Sequence, residues 1–126
     1  MSGGNGGATE DHRALLLRAY AAFNDQDLEV LLECVTDDVD WPDGEARLHG
    51  KAAVRAYWTE QWTRVRAHDE PTGFEDLGGG RVAVRIDQAV RALDGSILSR
   101  GRFLHRVDIE DRRVTRLHIE SLEAVS

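Results

Sequence analysis

The stretch Ile97-Leu98-Ser99-Arg100-Gly101-Arg102-Phe103-Leu104-His105-Arg106-Val107-Asp108-Ile109 alternates as a β-strand does. Ile97, Phe103, Val107 and Ile109 hold odd positions; Arg100, Arg102, Arg106 and Asp108 hold even ones. Side chains of a strand point alternately to its two faces, so the apolar odd face turns inward. His105 is in register with that inner face. An imidazole there either lines a cavity or is a core histidine tied to a backbone carbonyl, because a buried polar group needs a partner. Neutral imidazole both donates and accepts, and it titrates near neutral pH.

The surroundings of this strand read as a meander. Asp94-Gly95 is a strong hairpin signal and leads back into a strand over 81–93. Val82, Val84, Ile86 and Val90 share one parity there, and Gln88 interrupts it as His105 does in its own strand. Asp111-Arg112 leads on to a strand over 114–121, whose parity turns His118 outward with Arg116 and Glu120. Gly78-Gly79-Gly80 connects back to a strand over 72–76. These strands follow three helices. Thr9 is a candidate cap for the first, which carries Leu16, Ala19, Tyr20 and Phe23 at helical spacing. Asp27 caps a second, carrying Leu28, Leu31, Leu32 and Val35. A short strand over 39–41 and the turn Pro42-Asp43-Gly44 precede a third helix over 51–66. Its apolar stripe is Val54, Tyr57, Trp58, Gln61, Trp62 and Val65. The order is that of an α+β domain over 9–126, with helices on one sheet face. The Gly-rich segment 1–8 reads as a disordered tail.

Composition narrows the function. The 126 residues carry 23 acidic and 16 basic side chains, a formal net charge of -7. That argues against nucleic acid or an anionic membrane as partner. No apolar stretch is long enough for a membrane span, and the single Cys34 has no internal disulfide partner, which fits a cytoplasmic protein. His12, His49, His68 and His118 have no metal-ligand spacing, and no Gly-rich loop opens a helix after a strand. Neither a metal nor a cofactor is expected. His49, on the loop entering the third helix, is a candidate cap or pocket-mouth residue.

The elements Ala21-Ala22-Phe23-Asn24-Asp25-Gln26-Asp27-Leu28, Asp37-Asp38-Val39-Asp40-Trp41 and His49-Gly50-Lys51-Ala52-Ala53-Val54-Arg55-Ala56-Tyr57-Trp58 resemble the SnoaL-like branch of the nuclear transport factor 2-like superfamily. The resemblance covers about 9–120 and implies a cone-shaped barrel, a strongly curved mixed or antiparallel sheet wrapped around the three N-terminal helices. It implies a pocket inside the cone and, in many relatives, a dimer. Ketosteroid isomerase, scytalone dehydratase, limonene epoxide hydrolase and polyketide cyclases share that fold, as do binding modules without chemistry. Aligned on the final hairpin, His105 falls where the isomerase carries an acidic oxyanion-hole residue. The relatives' first-helix tyrosine falls near Ala19, one place from Tyr20. Their base carboxylate falls at Trp41; Asp40 or Asp43 takes that place only in a shifted register, and is otherwise a rim or turn residue.

Together these readings imply an apolar pocket for a small hydrophobic organic molecule. In the catalytic reading His105 is the acid/base or carbonyl-polarising group, and Gln88 orients. Trp41, Tyr57, Trp58 and Tyr20 are the expected substrate contacts. The reaction class is cofactor-free isomerisation, dehydration, cyclisation or hydrolysis. The alternatives are a non-catalytic ligand-binding module and a dimerisation or adaptor domain. The outer parity, with Ala83, Ala89, Leu98 and Leu104, suits a homodimer.

Overall fold

Two helices open the chain: α1 (Gly3–Asp25) and α2 (Leu28–Glu33). The hairpin β1 (Val35–Asp43) and β2 (Ala46–His49) separates them from α3 (Lys51–Trp62). The meander β3 (Val65–Gly78), β4 (Arg81–Ala92), β5 (Ile97–Glu110) and β6 (Arg113–Ala124) completes the fold. This computed structural model describes residues 3–124. The six strands form one curved, unclosed sheet in the order β2-β1-β6-β5-β4-β3. All neighbours are antiparallel except β1 and β6, so the sheet is mixed.

Local chemistry accounts for most boundaries. Asp27 caps α2, its carboxylate accepting from the Val30 N–H at 3.3 Å. The β4–β5 hairpin closes over Asp94-Gly95, where Gly95 has φ 94° and Asp94 accepts from the Ser96 N–H at 2.9 Å. Asp111 and Arg112 both adopt positive φ, the twist a two-residue hairpin needs. Gly80 is the position no other residue fills: a Cβ there would collide with the Ile109 carbonyl oxygen.

Several boundaries differ from the sequence reading. α1 begins at Gly3 and runs through the Gly-rich segment expected to be a tail, so Thr9 is not its start. Once a helix is nucleated, each added residue gains a hydrogen bond. Met1 and Ser2 of that segment lie outside the described residues. Val35 belongs to β1 rather than to α2, because the chain turns at Cys34 and the Val114 N–H bonds the Cys34 carbonyl. α3 stops at Trp62, and 65–78 form one long strand paired with β4. Its helical-looking start is overridden by a ladder that begins at Val65↔Ala92.

The core fills the concave side of the sheet. Val82, Val84 and Ile86 of β4, Val107 and Ile109 of β5, and Val114 and Leu117 of β6 bury against Leu16, Leu31, Leu32, Val54 and Trp58. Trp58 is 0 % exposed. The inward parity expected of Ile97 fails: it is 44 % exposed on the β4–β5 hairpin tip, where no described element covers it. α1 lies along the edge strand β3, which shields an edge otherwise open to further pairing. His12 bonds Asp76 at 2.9 Å, the Arg13 guanidinium covers the Phe74 ring, and Arg66 donates to Gln26 Oε1 at 3.0 Å. Among the described residues no helix is long and apolar enough to cross a membrane.

Candidate active site

Between the helices and the concave sheet face lies a cavity of about 130 Å³. His105, Gln88, Trp41, Tyr57, Trp58 and Tyr20 all line it. They reach it from α1, β1, α3, β4 and β5. Leu16, Phe23, Leu31, Val107, Val114 and Leu117 supply most of the apolar wall. The Trp41 ring packs edge-on against Trp58, with centroids 5.1 Å apart.

Strand parity brings His105 inward, and it is 3 % exposed. Its Nδ1 lies 2.7 Å from the Tyr20 hydroxyl, and the two rings stack. Burial lowers the His105 pKa to about 4, so the ring is neutral at neutral pH. Burial also drives the Tyr20 pKa far up, reinforced by the Asp69 charge, and the phenol keeps its proton. A neutral histidine has one N–H and a phenol one O–H. Their mutual bond uses one of these hydrogens. The other remains for a ligand in either tautomer.

Asp69 is the residue that sequence reasoning missed. It is 6 % exposed, lines the cavity, and accepts from Gln88 Nε2 at 2.8 Å. Burial raises its pKa; the bond from Gln88 and the nearby His68 oppose that rise. Its backbone N–H donates to Asn24 Oδ1 at 2.8 Å, and its carbonyl accepts from Asn24 Nδ2 at 2.9 Å. Asp69 stands in the polar run His68-Asp69-Glu70-Pro71, which looks like a solvated connection. The only available signal was parity with Val65 and Ala67, legible once β3 is known to start at Val65.

The remaining candidates take other places. Asp40 accepts from Arg47 at 2.7 Å and faces Arg116 at 3.6 Å, while Arg47 also donates to the Leu117 carbonyl. Asp40 is thus an ion-pair residue of the β1–β2 hairpin. Asp43 does not line the cavity, though its charge helps burial raise the Tyr57 pKa. His49 is exposed and neither caps α3 nor lines the cavity; the N-cap is Gly50, with φ 91° and no side-chain cap bond. Gly50 instead donates its N–H to the Val39 carbonyl at 2.8 Å. His118 is exposed, as its parity implies, and Cys34 is buried in the packing. Among the described residues no three of His, Cys, Asp and Glu converge as a metal-ligand set.

Comparison with known proteins agrees with this architecture. The SnoaL-like domain family matches residues 16–117. TerC, whose crystals were grown with polyporic acid, is 25 % identical with a TM-score of 0.76. The match covers 89 % of this chain and 92 % of TerC. A putative polyketide cyclase from Xanthomonas campestris pv. campestris is 19 % identical, with a TM-score of 0.77 over 88 % of this chain and 90 % of that one. An M. tuberculosis LEH-like epoxide hydrolase is 15 % identical, with a TM-score of 0.81 over 91 % and 85 %. No curated protein matches the sequence. With four-fifths of its length matched and the open cone around a lined cavity, the chain belongs to the SnoaL-like domain family.

Proposed function

We propose that the cavity binds a small, uncharged ring compound bearing a carbonyl group and moves a proton on it without a cofactor. One observation carries this reading: Asp69 and the Tyr20–His105 pair line the same apolar cavity. A partly desolvated carboxylate is a stronger base than one in water, and Gln88 orients it. The spare hydrogen of the Tyr20–His105 pair donates to the ligand's carbonyl oxygen. Asp69 takes a proton from the carbon beside that carbonyl, and the bonding electrons move onto the oxygen. Where a carbon–carbon double bond is conjugated with the enolate, returning the proton to its far carbon shifts that double bond, re-forms the carbonyl and restores the carboxylate, so the cycle balances. His105 keeps the carbonyl-polarising role, and Gln88 acts through Asp69. Trp41, Tyr57 and Trp58 are the apolar contacts.

The volume sets the size of the ligand. An engineered apolar cavity of about 150 Å³ holds one benzene ring. About 130 Å³ therefore takes one six-membered ring, and a multi-ring compound would have to extend beyond the cavity. TerC, crystallised with polyporic acid, supports an organic ligand.

The test is solvent exchange. Cyclohexanone, 2-cyclohexenone and acetophenone are incubated with the protein in D2O, and deuterium at the α-carbon is followed by NMR. Enzyme-dependent exchange lost in Asp69→Asn is the expected result. Binding of these ketones with no exchange would overturn catalysis and leave the ligand-binding reading.

A further inference from the structure

Asn24 lies in the last turn of α1 opposite Asp69, and its side-chain amide makes two hydrogen bonds to the main chain of that one residue, at 2.8 and 2.9 Å. β3 is an edge strand, paired only with β4. Main-chain groups on its outer side have no strand to bond. The Asn24 amide offers Asp69 the donor and the acceptor that another strand would offer. Gln88, the direct partner of Asp69 in β4, holds the carboxyl from the opposite side. α1 touches β3 elsewhere through His12–Asp76 and Arg13–Phe74, and Gln26, just past its end, meets Arg66, all side chain to side chain. Among the contacts between α1 and β3 described above, only the Asn24 clasp grips the backbone of a residue that lines the cavity.

We infer that Asn24 is a positioning residue, fixing the Asp69 main chain so that its carboxyl stays inside the cavity and away from bulk water. The inference rests on the reading of Asp69 as the base. Without the clasp, the edge of β3 loosens and water reaches the carboxylate. A hydrated carboxylate ionises more easily and is a weaker base. The other titratable groups around it are Tyr20 and His105 across the cavity, Tyr57 on α3 and His68 beside it on β3. Both tyrosines stay neutral through the acid range, whereas His105, whose pKa burial lowers to about 4, gains charge within it, so the change is read at the Asp69 carboxyl carbon and compared between the two proteins.

The experiment follows the Asp69 carboxyl carbon by NMR against pH, with no ligand present, in the wild type and in Asn24→Leu. At a temperature where both are folded, the Asp69 midpoint falls in Asn24→Leu by on the order of one pH unit. α-Carbon exchange of cyclohexanone falls about tenfold or more with little change in KM. Hydrogen exchange of the wild-type Asp69 amide is a second reading that needs no variant: the clasp makes it slow, as in an inner strand. An unchanged Asp69 midpoint in folded Asn24→Leu, or a rapidly exchanging Asp69 amide in the wild type, would overturn the inference. Asp69→Asn with undiminished exchange of the ketone would instead sink the proposed function, while the clasp could still register in the Asp69 titration and amide protection.

Discussion

Gln88 and Asp69 are direct cross-strand partners on β4 and β3, and the Gln88 amide donates to the Asp69 carboxyl at 2.8 Å. Gln88 interrupts an apolar strand because its partner is a buried acid. Opposite residues of an antiparallel pair bring their side chains close on one face. This pair sets the polar end of the cavity, and its first prediction concerns the acid.

Asp69→Asn keeps an oxygen that can accept from Gln88 and removes the base. Proton exchange on ring ketones should fall by about a hundredfold or more. The fold should be as stable as the wild type at neutral pH, or more so, because a buried charge is gone. Exchange kinetics beside urea unfolding check both statements. A large loss of stability with normal exchange would make Asp69 structural.

Tyr20→Phe removes one hydroxyl and strands the His105 Nδ1 bonded to it at 2.7 Å. The expected cost in stability is about 1 kcal/mol. Turnover should fall on the order of a hundredfold, since the donor pair at the carbonyl is broken. Equal kcat in the variant would remove Tyr20 from the mechanism.

His105 titrates at about 4 when folded, against 6.5 as an ordinary histidine. Between those values the unfolded chain binds a proton that the folded chain refuses. Stability from this source is complete above about pH 6.5. It is lost as pH falls toward 4, by about 3 kcal/mol in all. Asp69 works in the opposite sense: its raised pKa favours the folded state at low pH, and that contribution fades as pH rises through the folded value. The two groups thus pull the unfolding free energy in opposite directions between pH 7 and 4, and His105→Phe should remove the downward limb. An equally steep limb in the variant would assign it to other groups.

Ring size should govern affinity. Acetophenone should bind and quench tryptophan emission, since Trp41 and Trp58 line the cavity. A three-ring ketone should bind at least tenfold more weakly, because the cavity volume admits about one ring. Tighter binding by the larger ketone would mean that a surface beyond the cavity holds the ligand.

The outer sheet face bears on association. Leu98 is 58 % exposed and Ile97 44 %, near half-buried Ala89. We expect a homodimer through this face, and Leu98→Arg should shift it to monomer. Light scattering at micromolar concentration measures both masses; a monomeric wild type ends the idea.

Sequence periodicity alone determined the α+β order and the inward parity of His105 and Gln88, while Trp41 was placed at the pocket only by the family resemblance. Those are one-dimensional properties: a strand repeats every two residues and a helix every 3.6. The Asp94-Gly95 hairpin was legible for the same reason, since its φ requirement is local. Asp69 was not legible, because nothing adjacent to it is apolar enough to mark the strand, and its burial depends on Asn24 and Gln88, 45 and 19 residues away. Nor could the sequence pair Tyr20 with His105, which are 85 residues apart. Only the curvature of the sheet around α1 decides that they meet. Local pattern sets which face a side chain occupies; tertiary closure sets which side chains share a cavity, and with that their ionisation.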